Sequence, residues 1–84
     1  MEVQVCLVGS RLCCGVPVDY FLLVEERETR WAHYGICVES GGERTVIPAI
    51  TVSQPGILSL LSRLMHGGVT PVAARDVVED WLLE

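Results

Sequence analysis

The hydrophobic period of this chain changes once, near Ser53, and that switch constrains the fold more than any other feature. Before it, apolar residues alternate every second position, as in half-buried strands. After it, they recur every three or four positions, as along one side of a helix. A run of strands followed by a run of helices builds an α+β fold. The expectation is a single small domain over residues 1–84, with strands in 1–52 and two helices in 53–84. Its architecture is a four-stranded antiparallel meander with a two-helix layer packed on one face.

The first strand signal is Val3, Val5 and Leu7 alternating with Glu2, Gln4 and Cys6. Gly9, Ser10 and Gly15 to Pro17 punctuate the connection to the second strand, and Arg11 to Cys14 is too short to assign. The clearest strand is Val18 to Glu26. Val18, Tyr20, Leu22 and Val24 point one way, and Asp19, Phe21, Leu23 and Glu25 the other. Both faces are apolar at the middle, the pattern of a strand covered on both sides. Helices can cover one side; in a chain this short a second subunit would cover the other.

Glu25 to Arg30 is a mixed charge run, read as a solvated hairpin tip. Trp31 to Glu39 forms the next strand, with Tyr34, Ile36 and Val38 opposing Trp31, His33, Gly35 and Cys37. Ser40-Gly41-Gly42 supplies positive-φ residues for a hairpin turn. Glu43 to about Ala49 returns as a strand whose Pro48 lacks an N–H, which places it at a sheet edge.

Ser53 is the expected N-cap of the first helix, followed by Pro55 and then Ile57, Leu58, Leu60, Leu61, Leu64 and Met65 at helical spacing. Gly67-Gly68 should close it with left-handed residues. Thr70-Pro71 opens a second helix. Ala74, Val77, Val78 and Trp81, with Leu82 next to them, form its apolar side, and Arg75, Asp76, Glu79, Asp80 and Glu84 its polar side.

Composition then removes whole classes of function. The chain has 84 residues, eleven acidic and six basic, for a net charge of −5, and all six basic residues are arginine. Without lysine there is no phosphate loop of the Gly-x4-Gly-Lys type and no imine chemistry. The acidic balance opposes nucleic-acid binding, which needs a basic footprint. The two helices superficially resemble a helix-turn-helix, but the second presents Asp76, Glu79, Asp80 and Glu84 against Arg75, which would repel phosphate. No apolar stretch approaches the roughly 20 residues of a membrane span, so no membrane partner is expected.

Cys6, Cys13, Cys14 and Cys37 include an adjacent pair, for which a disulfide would be strained. With Glu2 where a basic leader would begin, they read as free thiols of a cytoplasmic protein. They lack the Cys-x2–4-Cys spacing of a zinc site. His33 and Cys37 share strand parity but stand about 13 Å apart along it, too far for a local dyad. No catalytic residue, cofactor or metal ligand is assigned, and a non-enzymatic protein is expected.

Tyr34-Gly35-Ile36-Cys37-Val38-Glu39, with the closing Thr70-Pro71-Val72 and Asp76-Val77-Val78-Glu79-Asp80-Trp81-Leu82, resembles a family of small uncharacterised proteins from clostridia and related Firmicutes. The resemblance covers about Trp31 to Leu82. The chain departs from that pattern at Thr70 for Ser, Ala73-Ala74 for His-Leu and Trp81 for Phe. The resemblance implies a small bacterial, cytosolic domain and transfers no catalytic residue.

Half of the residues are apolar, more than a core this small encloses. The first expectation is therefore an interaction module that forms a homodimer, through Phe21, Leu23, Trp31, Gly35 and Cys37 or through the helix pair. A second reading is an adaptor that docks a basic protein through Asp76, Glu79 and Asp80. A third, a Cys/His enzyme or metal protein, lacks ligand spacing.

Overall fold

The computed structural model describes residues 2–26 and 31–84. Strands β1 (Glu2–Cys13), β2 (Val16–Glu26), β3 (His33–Ser40) and β4 (Glu43–Thr51) precede helices α1 (Gln54–His66) and α2 (Pro71–Leu82). The strands form one sheet in the order β1-β2-β3-β4, each pair antiparallel, so the expected α+β meander is the fold. The tip at 27–30 lies outside the described residues, and Glu25 and Glu26 belong to β2.

Cross-strand pairing sorts side chains onto two faces. Tyr20 pairs with Val38, Leu22 with Ile36 and Val24 with Tyr34, all on the face that the helices cover. There Val18, Tyr20, Ile36 and Val38 meet Ile57, Leu60, Leu61 and Leu64 of α1 and Ala74 and Val78 of α2 in one buried cluster. Helix α1 crosses all four strands, whereas α2 lies over β3 and β4.

Strand β1 runs on through Arg11 and Cys13, which the sequence pattern leaves unassigned. A bulge explains why. Leu7 pairs with Phe21 but Gly9 pairs with Tyr20, so Val8 is an inserted residue and the alternation inverts there. Odd positions face away from the helices before the bulge and toward them after it. Arg11 consequently reaches the end of α1, and its Nη1 donates to the carbonyls of His66 (2.7 Å) and Met65 (2.8 Å), the latter also accepting from the Gly68 N–H.

The N-terminus of α1 is capped as expected: the Ser53 Oγ accepts from the Gly56 N–H at 3.0 Å. Its other end differs from expectation. Gly68 is left-handed (φ +58°), but Gly67 keeps a helical φ of −80°. Tyr20 Oη donates to the Val69 carbonyl (2.8 Å) and the Cys13 thiol to that of Gly68 (3.2 Å), anchoring the helix connection to the sheet. Thr70 stands at the N-cap of α2 without a side-chain cap bond. Thr45 Oγ1 instead donates to the Pro71 carbonyl at 2.6 Å.

Candidate functional site: the helix-free face of the sheet

Among the described residues, no helix covers the opposite face of the sheet. Its residues are set by the same register: Val5 pairs with Leu23 and Leu23 with Gly35, while Leu7 pairs with Phe21, Phe21 with Cys37 and Cys37 with Val46. These rows form an apolar band across all four strands. Polar groups bound it at both ends. At one end the Ser10 hydroxyl donates to Asp19 (2.6 Å) beside the Glu39–Arg44 ion pair (3.3 Å). At the other, Glu25 stands opposite His33. An apolar centre with a polar rim is the anatomy of a protein–protein contact surface.

Four of the five residues singled out for self-association, Phe21, Leu23, Gly35 and Cys37, lie together on this face. Leu23 (5 % exposed) and Cys37 (1 %) are buried, whereas Phe21 is half-buried. Gly35 contributes space. A Cβ there would stand 2.4 Å from the Ile47 carbonyl oxygen and 2.7 Å from the Pro48 Cα. Opposite Gly35, β4 bulges between Ile47 and Thr51, with Ala49 at φ +53°, and its backbone folds onto the sheet. Trp31 sits just ahead of β3 and is 62 % exposed.

Further exposed apolar residues of this face belong to β1, a strand that sequence reasoning did not single out for contact. Val3, Val5 and Leu7 of β1 are each more than half exposed on this face, and Leu12 is 73 % exposed. Local alternation marks a strand without revealing that it lies at the sheet edge, so their exposure is not legible from the pattern.

The Arg44 guanidinium has its pKa raised by hydrogen bonding to Cys37, by that residue's charge when ionised, and by Glu39. On the helix-covered face, burial pushes the Tyr20 phenol above its ordinary value; Cys13 adds to the rise and Arg11 opposes it.

Asp76, Glu79 and Asp80 occur elsewhere, exposed on α2. Among the described residues, Arg63 pairs with Glu84 at 2.7 Å. All four cysteines are free. Among the described residues, no group of three or more His, Cys, Asp or Glu side chains could hold a metal ion. His33 and Cys37 are separated along β3, facing Glu25 and Phe21 respectively. No described helix is long and apolar enough to cross a membrane.

Fold and surface together define a small α+β domain, a four-stranded meander roofed by two helices on one side and bearing an apolar band on the other. The chain belongs to a family of unknown function, DUF6514, which it matches over residues 7–84. Comparison with curated proteins and with solved structures returns no match.

Proposed function

We propose that this domain is a non-enzymatic bacterial interaction module that self-associates through the helix-free face of its sheet. The observation that carries the reading is the set of exposed apolar side chains Val3, Val5, Leu7 and Val46 around half-buried Phe21 on the helix-free face, bounded by polar rows. The dimensions suit a dimer. Four strands spaced about 4.8 Å apart, each extended by about 3.3 Å per residue, give a face roughly 15–20 Å by 25–35 Å. That is a flat area of roughly 375–700 Å², smaller than the roughly 800 Å² which each partner contributes to a standard interface, and in the range of a weaker, reversible contact. Four unbridged thiols suit a reducing cytoplasm.

Sedimentation of the wild-type chain and of Phe21→Glu tests the reading. The wild type is expected to dimerise at micromolar concentration. The variant places a charge in the band and should weaken the dimer about 30-fold or more, the scale of losing a central anchor. A wild type that stays monomeric, or a Phe21→Glu dimer of unchanged affinity, would overturn it.

The adaptor reading rests on one observation, the exposure of Asp76, Glu79 and Asp80 along one helix. Exchanging the three for their amides should release a basic partner without altering the fold.

A further inference from the structure

The two edges of the sheet are built differently. Edge strand β4 is interrupted by Pro48 and by the bulge at Ala49, and it begins with the charged pair Glu43-Arg44. Bulges, proline and charge are the devices that keep a sheet edge from pairing with another chain. Edge strand β1 carries none of them between Val3 and Leu7. That stretch is regular, pairs residue for residue with β2, and is exposed on both sides, Gln4 and Cys6 included. A strand like this has a free row of backbone donors and acceptors, which a further strand can extend.

We infer that β1 is a second contact strand and that its occupant is β1 of another copy, paired antiparallel across a two-fold axis. The choice of a second copy rests on charge. Val3 to Leu7 contains no ionisable group except the Cys6 thiol, so the edge offers nothing to attract a charged peptide, and pairing it with itself sets no like charges opposite one another. The acidic helix α2 lies over β3 and β4, at the far side of the sheet. Two copies joined at β1 therefore keep their most acidic helices apart. The bulge at Val8 ends the regular stretch, which centres the axis on Val5. Val3 then faces Leu7 of the second copy on the helix-free side, and Gln4 faces its Cys6 on the helix side. The inference rests on the self-association reading for the identity of the occupant, but it concerns the edge and not the face.

Gln4→Cys in a Cys14→Ser background separates the two contacts. Edge pairing brings position 4 of one copy directly opposite Cys6 of the other, with Cα atoms about 4.5–5.5 Å apart, within disulfide reach. In a face-to-face dimer both positions point away from the contact. Mild oxidation of this variant chain should therefore yield a covalent dimer. Adding Cys6→Ser should abolish it. Leu12→Cys in the same Cys14→Ser background should not form one through position 12, because the axis would hold its two copies about 45 Å apart. Backbone amide exchange in the wild-type chain provides a reading free of mutation: amides of Val3 to Leu7 should gain protection as concentration rises. A wild type that sediments as a dimer, with no covalent product and with β1 exchange independent of concentration, would overturn the edge contact and leave the face contact standing. A wild type monomeric at every concentration would overturn both.

Discussion

The two faces of this sheet start from similar side chains and end in different states. On the helix-covered face, Val18, Tyr20, Ile36 and Val38 are fully sealed beneath leucines and an isoleucine of α1. On the other, Leu23 and Cys37 are buried, while Val3, Val5, Leu7 and Val46 remain exposed. Apolarity in a strand thus indicates that a face is to be covered without specifying by what. The α1–α2 layer supplies the cover on one side, and the proposed second copy supplies it on the other.

The sharpest contrast should come from truncating one leucine on each side. Leu61→Ala removes a fully buried side chain and should cost about 2–5 kcal/mol in chemical denaturation. Leu7→Ala in the dissociated monomer should cost no more than about 0.5 kcal/mol, since its side chain is already in water. Equal losses would mean that the two faces are not differently covered. Gly35→Ala comes next. Its Cβ would press on the β4 backbone, so a loss of about 1–3 kcal/mol is expected, with increased amide exchange around Ile47 to Ala49. A neutral substitution would show that the bulge does not sit on Gly35.

Tyr20→Phe leaves the Val69 carbonyl without its donor and should cost about 1 kcal/mol. The same hydroxyl predicts a pH dependence. Because its folded pKa lies above the ordinary value of 10.0, folding favours the protonated phenol. Its contribution is complete below pH 10 and is lost as pH rises from there through the folded pKa. The wild-type melting temperature should fall more steeply across that range than that of Tyr20→Phe; parallel curves would exclude the link. The smallest effect is expected from the combined amides of Asp76, Glu79 and Asp80, with each site changing stability by no more than about 0.5 kcal/mol. A large loss would show that those carboxylates serve the fold rather than a partner.

Much of this was legible in the sequence for local reasons. Period-two alternation marks β2 and β3 and assigns Phe21, Leu23, Gly35 and Cys37 to one face. Ser53 and Pro55 mark the start of α1, and Pro48 marks an edge. Non-local features were not legible. The Val8 bulge inverts the parity of β1, which hid Arg11 and Cys13 as anchors of the α1–α2 connection. The β4 bulge over Gly35 depends on cross-strand register, which no single segment encodes. The exposure of Val3, Val5 and Leu7 depends on β1 being outermost, a property of topology rather than of alternation.

The most direct test of the central claim is sedimentation equilibrium of the wild-type chain from about 1 to 100 μM. The helix-free face predicts reversible self-association with a Kd in the micromolar range, extending beyond the dimer where β1 also pairs. A single monomeric species across that range would contradict it.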